Sequence, residues 1–201
     1  MVLILGADTS LPILSVALVK DGQLLGATAL EGRSSRNEKL LPAIDWLLGE
    51  TGSDRKSIDL FAVTRGPGSF TGVRIGLATM QGMALALDKP VCAMSTHEAI
   101  APDRGRWLIV DDAGRGELYV SMFDAGEEIM APRLARTDAL AQLGAEQLSI
   151  GDVLQERNVA LACARRAQKI VEAGHLDAYK DITPIYVRLA EAEVKLKQKQ
   201  K

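Results

Sequence analysis

Two aspartates, a glycine-rich loop and two histidines are the residues of this chain whose types could carry chemistry. Asp8 closes the apolar run LILGA, and Asp112 follows WLIVD. Carboxylates at strand ends are what magnesium-dependent kinases and ATPases use to hold the metal and activate the attacking group. The stretch GPGSFTGVRIG, Gly66 to Gly76, has the look of a phosphate loop feeding a helix. It fits neither phosphate fingerprint. A Walker A loop needs a lysine where Val73 follows Gly72, and the spacing of Gly66, Gly68 and Gly72 is one residue too long for a dinucleotide loop. Ser69 lies in G-S-F without a glycine two residues on, so no hydrolase elbow is present. The histidines, His97 and His175, are 78 positions apart (175 − 97). That spacing excludes an H-x-x-x-H metal pair, and each reads as a surface or loop histidine rather than a ligand. From these residues the sequence names no catalytic group, no metal-ligand set and no cofactor.

The elements that must position these residues follow from periodicity. LILGA, ILSVALV and QLLGATAL are apolar runs separated by turn chemistry, with Asp21-Gly22 marking a tight hairpin. In NEKLLPAIDWLLGE, Leu40, Leu41, Ile44, Leu47 and Leu48 recur at helical spacing, which predicts a helix over Asn37 to Leu48. Asn37 serves as its N-cap and Pro42 stands near its first turn. IDLFAVT reads as a buried strand, the loop RGPGSF leads into a helix from Thr71 to Leu87, and PVCAMS supplies another strand. The order β-β-β-α-β-α-β is that of a ribonuclease-H-like unit.

The chain also resembles itself. LILGADTSLPILSVALVKDGQLLGA from Leu3 lies over WLIVDDAGRGELYVSMFDAGEEIMA from Trp107 at an offset of 104 (107 − 3). Asp8 then falls on Asp112 and Gly22 on Gly126, while Leu14, Val16 and Leu18 fall on Leu118, Val120 and Met122. Two such units facing each other make a cleft with an aspartate from each side. This is the α/β architecture of the actin-like ATPase superfamily, shared by sugar kinases, actin and heat-shock chaperones. The expected division is a first lobe over 1–100 and a second, shorter and degenerate lobe over 101–201, whose clear helix spans Asn158 to Ala173. No Pro-, Gly- or Ser-rich linker separates the lobes, so they are expected to pack as one body.

The helix after the glycine loop carries a wide small-residue face. Gly72, Gly76, Thr79, Met83 and Ala86 form one row, and Ala78, Gly82 and Ala86 a second. Each glycine costs roughly 1 kcal/mol of helix propensity relative to alanine, so something must approach closely. Packing within the chain alone, or packing plus a partner surface, are the two readings. Arg74 in the first turn opposes the helix dipole and calls for a carboxylate or a recognition role.

Composition bounds the function classes. A chain of 201 residues with 47% apolar residues can bury a sizeable core. The net charge of −2 excludes a broad basic face that coats nucleic acid, leaving room for a local patch only. The basic tail VKLKQKQK reads first as a solvated end and second as a nucleic-acid contact. Cys92 and Cys163 match no metal or redox spacing, which predicts reduced thiols. The opening VLIL ends too soon for a signal peptide, and no charge-free span of about 20 apolar residues occurs. The expectation is a soluble, cytoplasmic protein with no membrane role.

GPGSFTGVRIG, with the opening GADTS and SVAL, the helix NEKLLPAI, the later DDAGRGELY and the terminal PIYVR, resembles the bacterial TsaB (YeaZ) family from about residue 2 to 188. The resemblance implies a non-catalytic subunit required for threonylcarbamoylation of adenosine 37 in tRNAs reading ANN codons. Such a subunit binds and supports the transferase TsaD, helps recruit the ATPase TsaE, forms a homodimer when alone, and meets tRNA only indirectly. It also implies a partner interface on the two helices of the first lobe. That interface carries over here to Glu38, Leu41, Ile44, Leu48, Gly72, Arg74, Gly76, Thr79, Met83 and Ala86. Asp8, Thr9, Ser10 and Asp112 would line a degenerate cleft. Arg36 departs from the histidine that relatives often carry there, and the second lobe is short. The alternative is an autonomous magnesium-dependent nucleotide hydrolase or phosphotransferase using the two aspartates.

Overall fold

The computed structural model describes residues 1–31, 36–138, 140, 145–152 and 158–188. Its first sheet has the order β3-β2-β1-β4-β5, built from β1 (Leu3–Asp8), β2 (Ile13–Lys20), β3 (Gln23–Glu31), β4 (Leu60–Thr64) and β5 (Val91–Met94). β3, β2 and β1 are antiparallel, whereas β4 and β5 run parallel to β1. The second sheet repeats the arrangement as β8-β7-β6-β9, from β6 (Arg106–Gly114), β7 (Glu117–Asp124), β8 (Glu127–Arg136) and β9 (Glu146–Ser149). Two ribonuclease-H-like lobes of the actin-like ATPase superfamily are therefore present.

Every residue of β1 is buried because both faces of the first sheet are covered. Leu3, Leu5 and Ala7 point one way, to α1 (Arg36–Glu50) and α2 (Phe70–Ala86), where they meet Leu40, Ile44, Leu47, Val73, Leu77 and Met80. Ile4 points the other way. It joins Val19, Leu60 and Met94 against Cys163, Ala164, Ala167 and Ile170 of α4 (Val159–Glu172), beside the short α3 (Thr96–Ile100).

The division at residue 100 thus separates the two sheets but not the helices. α4, from the second half of the chain, covers the first sheet. Asn158 caps it by accepting from Leu161 N–H at 2.9 Å and ties it to β3 by donating to the Thr28 carbonyl at 3.0 Å. Ser15 accepts from Ala160 N–H at 3.1 Å, and a Cβ at Gly6 would stand 2.3 Å from the Ala160 carbonyl oxygen, so glycine is required where α4 crosses β1. A third cluster, Leu11, Ile100, Ile109, Phe123, Ile150 and Val159, joins the lobes.

Two local expectations shift. Pro42 stands in the second turn of α1, on its exposed side, because the helix starts earlier than the apolar pattern shows. The cap expected of Asn37 and the basic tail lie outside the described side chains and residues, respectively.

Candidate functional site

Strand register decides which aspartate of the second lobe matches Asp8. Asp8 pairs with Ser15 on β2, and Asp111 pairs with Tyr119 on β7, which is Ser15 advanced by 104 positions. The ladder between β6 and β7 shifts at Asp112/Gly114, so the equal-length sequence overlay points one residue too far. Asp111 is half-buried. Burial, with the neighbouring charges of Asp112 and Asp8 adding to it, pushes its carboxyl up to about 6. Asp112 is exposed on the rim and accepts the Gly114 N–H at 2.7 Å.

Asp8 is sealed. It is 0% exposed, and its Oδ1 accepts from Ser10 Oγ at 2.6 Å, from Ser10 N–H at 3.2 Å and from Thr64 Oγ1. Its Oδ2 is enclosed with no donor among the described residues, and burial raises its pKa despite the hydroxyls. Ser10 Oγ also meets Thr96 Oγ1 at 2.9 Å. A catalytic magnesium needs carboxylate oxygens reachable from a shared, open cleft. Here Asp8 is enclosed by the chain's own hydroxyls, and only the second lobe's Asp111 and Asp112 border the cleft. The pair does not fit such an ion.

The glycine loop is likewise filled by polypeptide. Ser69 N–H donates to the Ser10 carbonyl at 2.7 Å, and a Cβ at Gly68, with φ +151°, would lie 2.4 Å from that oxygen. Ser69 then caps α2, its Oγ accepting from Gly72 N–H at 3.2 Å. Thr9 Oγ1 donates to the Gly72 carbonyl at 2.6 Å and would stand 2.4 Å from a Cβ at Gly76. The loop seats α2 against the end of β1. What remains between the lobes is a cleft of ≈ 450 Å³ with Ser10, Gly68 and Ser69 on one lip and Asp111, Asp112, Gly114 and Tyr119 on the other.

The expected partner residues divide. Ile44, Leu48, Gly72 and Gly76 are buried inside this chain, and Thr79 and Met83 are half-buried. Glu38, Leu41, Arg74 and Ala86 are exposed. The second small row, Ala78, Gly82 and Ala86, is the outward one, and a Cβ at Gly82 would meet nothing within 4 Å among the described residues. Leu41 of α1, at 46%, and Leu85 of α2, at 82%, are exposed as well, whereas Trp46, at 54%, borders a groove with Thr28 and Leu30 of β3 on the other flank of α1. Arg74 is held by aromatics instead of a carboxylate. Its guanidinium carbon lies 3.9 Å from the Phe70 ring centroid, and its Nε donates to Tyr186 Oη at 2.6 Å.

His175 is exposed, but His97 is not the surface histidine expected from sequence. It is 0% exposed, with Nδ1 2.6 Å from Ser121 Oγ of β7, and burial pushes its pKa down to about 3, so the ring is neutral and helps join the lobes. Cys92 and Cys163 are buried free thiols; burial pushes Cys92 up to about 12 and raises Cys163 as well.

Comparison with known proteins gives the site its context. The family model for TsaD, tRNA N6-adenosine threonylcarbamoyltransferase, matches residues 33–195. The tRNA threonylcarbamoyladenosine biosynthesis protein TsaB of Escherichia coli K12 is 30% identical over 92% of this chain and 94% of its own length. TsaB of Bacillus subtilis 168 is 26% identical over 98% and 99%, respectively. The solved structure of YeaZ from Pseudomonas aeruginosa superposes with a TM-score of 0.71 at 27% identity, covering 92% of this chain and all (100%) of that one. With this coverage and the matching two-lobed fold, the chain belongs to the TsaB (YeaZ) family of tRNA threonylcarbamoyladenosine biosynthesis proteins.

Proposed function

We propose that this chain is a non-catalytic subunit of the tRNA threonylcarbamoylation machinery, acting by pairing with a TsaD-type transferase through the outward face of α1 and α2. The observation that carries the reading is the exposed Leu41 on α1 and Leu85 on α2, together with the outward small row at Gly82 and Ala86. Small residues let a partner helix come close, and exposed aliphatic side chains supply area for it to bury. The enclosure of Asp8 supports the absence of chemistry of its own. In this role the chain supports TsaD, helps recruit TsaE, self-associates through the same face when alone, and meets tRNA only through the complex.

The test is light scattering of the purified chain, alone and mixed with its cognate TsaD, with ATP hydrolysis followed in the same samples. The expected result is a mixed complex formed by the parent chain, lost on Gly82→Glu, with no turnover by this chain alone. Magnesium-dependent turnover without TsaD, abolished by Asp8→Ala, would favour an autonomous nucleotide hydrolase or phosphotransferase instead. A mixed complex that survives Gly82→Glu and Leu85→Glu would place the interface elsewhere.

A further inference from the structure

After the 3-10 turn Leu176–Tyr179 the chain runs over 180–188 without regular secondary structure. A segment with no ladder of its own stays ordered only if outside contacts offset its conformational entropy. Here those contacts come from both lobes. On the first, Arg65 Nη1 donates to the Asp181 carboxylate at 3.3 Å and to the Thr183 carbonyl at 3.2 Å, and Ile185 N–H donates to the Arg65 carbonyl at 2.7 Å. Ile182 packs against the first core. The Tyr186 ring stacks on Phe70 at 4.6 Å and its hydroxyl accepts from Arg74. On the second lobe, Arg188 Nη2 donates to the Gly114 carbonyl at 3.3 Å and to the Glu117 carboxylate, with the Arg188 side chain 23% exposed.

These anchors sit beside the two lips of the cleft. Gly68 and Ser69 form one lip, between Gly66 and Phe70, which the segment touches; Gly114 belongs to the other. Gly66 is explained by the same crossing. Its φ is +96°, and a Cβ there would stand 2.9 Å from the Ile185 carbonyl oxygen, so glycine is what lets the segment pass over the loop. The strings GPGSF and PIYVR, far apart in sequence, are two sides of one contact.

We propose that residues 181–188 are a clasp that ties the lips of the interlobe cleft together and sets its width. Closed, it holds the β6–β7 turn against the loop before α2. Release of Arg188 frees that turn while the first-lobe anchors keep the segment on its own sheet, so opening begins at the second lobe.

Amide hydrogen exchange on the full chain tests this, comparing the parent with Arg188→Ala, Arg188→Lys and Tyr186→Phe. Arg188→Ala should speed exchange in the turn over 111–117 by roughly tenfold, the ratio a charge-assisted contact supplies, with a smaller acceleration in the loop over 66–72, which the first-lobe anchors still hold. Protection of β1, β2 and β4 should be unchanged. Arg188→Lys should recover part of the protection, and Tyr186→Phe, which keeps the ring stack, should stay within about twofold of the parent at the cleft. Acceleration confined to 184–188, with both lips unaffected, would overturn the clasp and leave the segment a surface strap. Loss of protection throughout the first sheet in Arg188→Ala would also overturn it, making the contact a general stabiliser.

Discussion

Asp111 stands in the second sheet where Asp8 stands in the first, each opposite the equivalent residue of the neighbouring strand, Tyr119 and Ser15. The duplicated framework has given the two carboxylates different surroundings. Asp8 is enclosed by Ser10 and Thr64, whereas Asp111 borders the cleft with the Asp112 N–H as donor at 2.9 Å.

The raised pKa of Asp111, about 6, has a sign for stability. Between pH 4 and 6 the folded chain holds a proton that the unfolded chain, with an ordinary aspartate, has released. Stability therefore falls as pH rises through that window and stays lower above it. Asp111→Asn should stabilise by about 1 kcal/mol at pH 7, after allowance for solvent screening, and by much less at pH 4. Urea unfolding at the two pH values reads the difference; equal gains at both would exclude the charge as the cause.

His97 has the opposite sign. With its pKa pushed down to about 3 by burial, the folded ring stays neutral while the unfolded ring takes up a proton below pH 6.5. Stability is lost as pH falls from 6.5 toward 3. His97→Gln should reduce the pH dependence of the unfolding free energy between pH 6 and 4 by about one proton's worth. Ser121→Ala, which leaves both ring nitrogens without a partner among the described residues, should cost about 1–3 kcal/mol at neutral pH.

Asp8 is held by two hydroxyls that act on one oxygen. Thr64→Val, nearly the same shape without the hydroxyl, should cost about 1–3 kcal/mol, and Ser10→Ala a similar amount. Combined, the two should depart from additivity, since each changes the donors left for the other; denaturant melts of the four-member cycle measure it.

Gly76 and Gly82 lie on the same helix and predict different failures. Gly76→Glu forces a Cβ to 2.4 Å from Thr9 Oγ1 and should destabilise by ~3 kcal/mol or more. At Gly82→Glu the added Cβ meets nothing within 4 Å among the described residues, and stability should change by less than ~1 kcal/mol. Thermal melts separate the two, so only Gly82→Glu reports on association without a folding defect.

Much of this protein is written in local pattern. The succession of strands along the first lobe, the helices α1 and α2, the capped α4 and the repeat at 104 positions follow from alternation, helical spacing and turn residues, because each records the backbone period of its own segment. The motif GPGSFTGVRIG was legible as a strand-to-helix loop that matches no phosphate fingerprint, since fingerprints are matters of spacing.

Tertiary structure decided the rest. The matching aspartate is Asp111 because a register shift in the β6–β7 ladder moves the pairing by one residue, and a ladder exists only once both strands are paired. The inward row of α2 is Gly72 and Gly76 and the outward row is Ala78 and Gly82, because a helix rich in small residues on two sides has its rotation set by what packs on it. α4 covers the first sheet, His97 is buried between lobes, and Tyr186 lies on Phe70 and Arg74. Each of these depends on residues distant in the chain meeting in space, a relation that periodicity within one segment does not encode.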